Sequence, residues 1–437
     1  MIQKNQTFRG SKPSWANACV GANGNPGYVE YSNGFSKAAN LLIDEVLKDR
    51  GLHHYVDDFV YPVCFNMRHS VEIRLKGAID EIIAIAKIKG TNLKFNSSGS
   101  HDISIIWNYF KSESEKIDKR YISINKKIEP TILDIAEVDP TGQTFRYAFN
   151  NTSQKHLTDV SLINFIVLKD KFNELQESLD TLHHLNQWLS DEYHYGTFTS
   201  KLSRAEIFSI SDRLPKKSEW RTPDFSNLKL EIQAEYGLSN RDFSKAIDII
   251  QAHYSLAPKI IDPIPLAGIR EEDLLIFIEE WLKENPETKE APNLEPESTD
   301  YVAPDLFSLI FSHAQNKKNY WEFFANRVSA EYLAGLESLF YFARDKTMTE
   351  HYKRIYIRHL RGAQAIMKGE TSNLRDDFMH IFTKSNAVDN IILSLYALGH
   401  RKLAEQIIDT HDLQLAFHWL EDARSGVLYS YPSYAGY

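Results

Sequence analysis

Arg68, His69 and Glu72 stand within two turns of one apolar segment, VYPVCFNMRHSVEIRLKGAI (60–79). Arginine grips a phosphate with a two-pronged fork, histidine moves a proton near neutral pH, and a carboxylate can orient either. Two arrangements suit such a trio: a reactive groove, or a helical core whose buried charges pair with one another. Arg68 and Glu72 are spaced to pair along a helix, and Arg68 falls on the apolar stripe of Val71, Leu75 and Ile79. His69 sits beside that stripe. His101, after Gly99 and Ser100, could donate to Glu72 or act in a site itself.

A second pattern is KRIYIRHLR (353–361), where Lys353, Arg354, Arg358 and Arg361 interleave with Tyr356 and aliphatic residues. Cations with a stacking ring suit RNA, and the same pattern suits a solvated helix face. His183 and His184 face opposite ways on one helix and lack a third ligand, so no metal site is expected. GANGNPG (21–27) has three glycines but no strand-then-helix frame, so it reads as a turn rather than a phosphate loop. GLSNRDFSKAIDII (237–250) resembles the turn and second helix of a helix-turn-helix, yet Asp242 and Asp248 would face a phosphate backbone badly.

The elements that must carry these residues are helices. Val71, Leu75, Ala78, Ile79 and Ile82 repeat at three and four, with a stop near Gly90. FSKAANLLIDEVLKD (35–49), HDISIIWNYFKSESEKI (101–117) and YISINKKIEPTILDIAEVD (121–139) supply three more, and four helices with short links make a bundle. Residues 144–149 are strand-like after the Asp-Pro and Thr-Gly breaks. A long amphipathic helix follows, from about Leu157 to Tyr193. Ser203 and Ser239 both read as N-caps.

The domain organisation expected is a loop-rich segment (1–34), a bundle (35–156), a middle helical domain (157–283), an acidic Pro-rich linker (284–304), a carboxy-terminal helical domain (305–423) and a Tyr-rich tail (424–437). The tail is read either as disordered or as packing on a neighbour through its rings. The fold class expected is mainly α, with little or no sheet.

With 437 residues, 43% hydrophobic and 25% charged, the chain has a globular profile. A net charge of −9 argues against a chain-wide electrostatic grip on nucleic acid and leaves room for a local basic groove. Two cysteines, Cys19 and Cys64, exclude a disulfide scaffold and point to a reducing cytoplasm. No secretory signal and no membrane span is read, and no cofactor is expected.

Arg68, His69, Glu72, Leu75 and Lys76 on one helix, a Gly-containing link, then His101, Asp102, Ile103 and Trp107 resemble HEPN-like domains of bacterial proteins. DPTGQTFRY (139–147) is similar to a segment that follows this domain in some uncharacterised bacterial proteins. The resemblance covers about the first third of the chain. It implies a four- or five-helix bundle and, in active members, a metal-independent ribonuclease of toxin–antitoxin or anti-phage systems. The family's nuclease signature is an Arg, a polar residue, then His four to six positions beyond the Arg. Adjacent Arg68 and His69 do not supply it. RDDFMH does, through Arg375, Asp376 and His380.

In that chemistry His would act as general acid or base, Arg would stabilise the developing phosphate charge, and the RNA's own 2′-hydroxyl would attack. The resemblance further implies two such pairs meeting across a homo-oligomer. Two functions of different class therefore stand. One is a defence or toxin ribonuclease using Arg375, Asp376 and His380, or the Arg68, His69, Glu72 and His101 cluster, with RNA held at 353–361. The other is a non-catalytic module that binds a partner protein or a nucleotide.

Overall fold

Apolar residues at helical spacing build helices throughout the computed structural model, which describes residues 5–48, 50, 52–149, 153–289, 319–367 and 374–437. The protein is mainly α, and no strand occurs among the described residues. The chain divides into two compact units, Met1–Asp191 and Glu192–Tyr437.

The first unit holds α1 (Tyr28–Leu47), α2 (Val56–Ile88), α3 (Ile103–Ile117), α4 (Tyr121–Val138) and most of α5 (Phe165–Tyr195). α1 begins at Tyr28 rather than at Phe35, because the Pro26-Gly27 turn delivers an extended Gly27 at its N-cap. α2 continues through Pro62, which is exposed. Asp102 caps α3 by accepting from the amides of Ser104 and Ile105 at 2.8 and 3.1 Å. Leu75, Ile79, Ile82, Trp107, Phe110 and Ile128 are fully buried between these helices.

Polar contacts set the helix order as well. The ring of Tyr28 lies on Gly77, where a Cβ would come within 2.2 Å of it. Its hydroxyl meets His183 Nδ1 at 2.9 Å, and the same nitrogen lies 3.0 Å from Glu81. Asn186 donates to Glu81 at 2.6 Å and accepts from Tyr121 at 2.7 Å. One hydrogen-bonded chain thus ties α1, α2, α4 and α5 together.

Between α4 and α5 the described residues form no helix or strand. Residues 144–149 form no strand; their one ladder contact is an isolated bridge between Phe149 and Lys155. The reason is local. Asp139 Oδ1 accepts from the Thr144 amide at 3.0 Å, and the Arg146 and Tyr147 amides donate to the Gln143 carbonyl at 3.1 and 3.0 Å, so the segment opens as a turn and not as an extended run.

The second unit continues with α6 (Arg204–Arg213), α7 (Pro223–Tyr236), α8 (Asn240–Ala252), α9 (Ala257–Ile260) and α10 (Glu271–Glu284). Ser203 and Ser239 each close a capping box, with Glu206 and Asp242 respectively. Then come α11 (Ala330–Phe342), α12 (Glu350–Met367), α13 (Leu374–Phe382), α14 (Ala387–Ala397), α15 (Arg401–His411) and α16 (Leu420–Ser425). Of the acidic linker expected over 284–304, Glu284 closes α10 and Pro286–Lys289 form a single turn. Its remainder, and residues 305–318 of the expected carboxy-terminal helical domain, lie outside the described residues. Among the described residues no helix is long and apolar enough to cross a membrane.

Candidate functional site

Arg68 is 3% exposed, on the α2 stripe whose Val71, Leu75 and Ile79 are fully buried. A buried guanidinium must have its five N–H donors answered. Its Nε donates to the Asp139 carbonyl at 3.2 Å and its Nη2 to the Pro140 carbonyl at 2.9 Å. Nη2 also donates to the His101 carbonyl, and Nη1 to Glu72 Oε2. Gly142, at φ 76°, lies over the guanidinium; a Cβ there would sit 3.1 Å from Arg68 Cζ. The Pro140 carbonyl also accepts from the Ile103 amide at 2.9 Å. Arg68 therefore fastens α2, the start of α3 and residues 139–142 to one another.

Glu72 Oε1 accepts from Lys76 at 2.8 Å and lies 2.9 Å from His101 Nδ1. Burial acts to raise its pKa, but the bonds from Lys76, Arg68 and His101 outweigh it and hold the carboxyl at about 2. The structure thus brings Arg68, Glu72 and His101 together, with Lys76 as a fourth member. His101 alone of the four keeps most of its side chain, 62%, in solvent. His69 goes elsewhere: it stacks on Phe65 at 5.7 Å and meets the edge of Phe35 at 4.5 Å. Burial pushes its imidazole pKa down, which favours the neutral form.

Arg68 also lines the first of two adjoining pockets, called lobes because four residues border both. One lobe, about 360 Å³, is floored by Cys64, Met67, Ile135, Phe145, Leu168 and Phe172. The other, about 750 Å³, is edged by Asp57, Tyr61, Thr144, Arg146, Lys155 and His156. Phe145, Val160, Leu162 and Ile163 line both lobes. Leu162 is 91% exposed. Because residues 139–142 are anchored by Arg68, the wall they continue into at Thr144 and Phe145 is held in place.

Arg375, Asp376 and His380 lie on α13, which buries Phe378, Ile381 and Phe382 in the second unit's core. Asp376 and His380 are exposed and Arg375 is half-buried. Arg375 and His380 stand at opposite ends of the nine-residue helix, five positions apart, so they do not share one helical face. Asp377, which the motif does not use, is the more central group. Burial raises its carboxyl pKa, the charges of Glu337 and Asp376 raise it further, and His380 and His359 oppose them. His359 on α12 bonds Glu337 at 2.9 Å and stacks on Tyr341 at 5.3 Å.

On the rest of α12, Lys353, Arg354, Arg358 and Arg361 are exposed. Arg354 donates to the His194 carbonyl at 2.6 Å and lies 4.6 Å from the Tyr195 ring centroid. Tyr356, read as a stacking ring, is half-buried, and its ring edge is what a Cβ at Gly268 would strike at 2.5 Å. Among the described residues no group of three or more His, Cys, Asp or Glu is placed to hold a metal ion.

A further cluster had no signal in the spacing of its members. Arg204, 1% exposed, donates to Glu350 at 2.7 and 3.2 Å and to the Tyr437 hydroxyl, which donates in turn to Glu192. Thr197 donates to Glu350 at 2.7 Å, and His253 Nε2 lies 3.0 Å from it. Burial works against the Glu350 charge, yet His253 and Arg204 hold its carboxyl well below the usual range. The tail packs on its own chain here. Tyr431 and Tyr437 stack at 4.0 Å, both meet Phe208 edge-on, and all three rings surround the Arg204 guanidinium.

The chain matches no protein-family model, no curated protein and no solved structure.

Proposed function

We propose that the protein is a non-catalytic helical binding module that works through the cavity of its amino-terminal bundle. One observation carries this reading. Arg68 and Glu72 are spent on each other, on Lys76 and His101 and on backbone carbonyls, His69 packs against Phe35 and Phe65, and the wall that Arg68 braces faces two adjoining pockets. Arg68, whose donors are taken by Glu72 and three backbone carbonyls, is not open to grip a phosphate as a nuclease arginine must. The resemblance to HEPN-like domains agrees with this use, since fold does not carry activity with it. Under this reading the protein serves a bacterial defence or toxin system from the cytoplasm.

A second reading, a metal-independent ribonuclease of such a system, is favoured by a different observation. α13, with Arg375, Asp376 and His380, lies close enough to α12 for His359 and His380 both to act on Asp377. In that reading His380 moves the proton, Arg375 steadies the phosphate, and RNA runs along Lys353, Arg354, Tyr356, Arg358 and Arg361 of a homo-oligomer. One experiment separates the two. Purified protein is incubated with total RNA and with tRNA in the presence of a chelator. Intact RNA at high protein concentration is expected. Chelator-resistant cleavage that disappears in Arg375→Ala and His380→Ala would overturn the binding reading and install the nuclease.

A further inference from the structure

The chemistry of the two lobes identifies what would fill them; this rests on the binding reading above and sharpens it. The smaller lobe is walled mostly by Met, Ile, Val, Leu and Phe side chains, a surface that rewards alkyl groups. Its volume of about 360 Å³ is at the small end of ligand sites, enough for a single chain. The larger lobe shares the wall of Phe145, Val160, Leu162 and Ile163 and is edged by Arg146 and Lys155. Neither cation has a carboxylate partner among the described residues; Arg146 merely covers the Phe65 ring at 4.9 Å. His156 adds an Nε2 that is buried and has no hydrogen-bond partner. Asp57 and Asp134 also border the lobes, and Lys171 of the smaller lobe is already paired with Glu174.

We propose that the cavity binds a free single-chain anionic amphiphile, a fatty acid or an alkyl phosphate, with its chain in the smaller lobe and its head between Arg146, Lys155 and His156. A chain of net charge −9 that leaves two cations unpaired at one polar mouth is arranged to receive negative charge there. The smaller lobe's lining is mostly aliphatic, with Phe145 and Phe172 as its rings, and it suits an alkyl tail.

The test is calorimetric titration of the full chain with octanoate, decanoate, dodecanoate and dodecyl phosphate below their micellar concentrations. Affinity is expected to rise about fourfold per added methylene until the lobe is full. Arg146 and Lys155 are exposed, and changing them gives up no packing contact but that of Arg146 with the Phe65 ring. Arg146→Glu with Lys155→Glu should weaken dodecanoate about tenfold or more and leave dodecyl maltoside unchanged. Leu162→Asp, at the shared wall, should weaken every amphiphile. No saturable binding of dodecanoate up to about 1 mM would overturn the inference. Equal affinity for dodecyltrimethylammonium would overturn it too, as would recruitment to phosphatidylglycerol vesicles without binding of the free amphiphiles. None of these results touches the RNA incubation, whose outcome decides the underlying reading separately.

Discussion

Replacing Arg68 with methionine tests the bracing role directly. Methionine keeps an unbranched apolar stem on the α2 stripe, so packing is largely retained while every donor is lost. The carbonyls of Asp139 and His101 lose the Arg68 donor, and Glu72 keeps only Lys76 and His101. Breaking a buried pair from one side costs about 3–5 kcal/mol, and the retained stem puts this case near the lower figure. For a unit of this size, about 3 kcal/mol is roughly 6–12 °C in melting temperature. Arg68→Lys keeps the charge beside Glu72 but cannot reach two carbonyls at once, so about 2 kcal/mol is expected.

The effect has a pH signature. The folded pKa of Glu72 lies at about 2, below its unfolded value, so the stability it contributes is full above the unfolded pKa. That contribution is lost as pH falls through about 4.5 toward 2, and the gap between wild type and Arg68→Met should narrow over that window. The local readout is hydrogen exchange at the Ile103 amide, which donates to the Pro140 carbonyl that Arg68 also holds. Its protection should fall in the variant. Unchanged exchange together with unchanged urea unfolding at neutral pH would refute the bracing role and return Arg68 to the pool of phosphate-binding candidates.

Two further outcomes are expected. Gly142→Ala places a Cβ 3.1 Å from the Arg68 guanidinium at a left-handed residue, and should lower stability by about 1–2 kcal/mol in urea unfolding. Tyr437→Phe removes the hydroxyl that accepts from Arg204 and donates to Glu192, bonds worth about 1.5–3 kcal/mol each; faster proteolysis at residues 427–437 would report it, and unchanged cleavage would count against the cluster.

What could be read from the sequence, and what could not, follows from where the interacting atoms lie along the chain. Arg68 and Glu72 are four apart on one helix, so their pairing was visible as spacing. The N-caps at Ser203 and Ser239 were visible for the same reason, as were the helices whose apolar stripes repeat over several turns. The other half of Arg68's environment is backbone carbonyls at 101, 139 and 140, and an acceptor that every residue carries leaves no mark in side-chain types.

The same limit explains residues 144–149. Their β-branched and aromatic character suggested a strand, but the Arg146 and Tyr147 amides close a turn on the Gln143 carbonyl, which leaves a single bridge at Phe149. The Arg204 cluster joins residues 146 and 233 positions apart, so periodicity could not reveal it. Arg375 and His380 were legible as a motif, yet the more perturbed carboxyl beside them belongs to Asp377, whose surroundings come from α11 and α12.

The way Arg204 is satisfied dictates an order of assembly. Its partners Glu350, Tyr431 and Tyr437 all follow it far along the chain, so the guanidinium has no complete set of acceptors and rings until the last of these has left the ribosome. Until then α6 must hold an uncompensated cation at what will become its inner surface, which disfavours early closure of the second unit around it. The second unit is therefore expected to close around Arg204 only after Tyr437 has emerged.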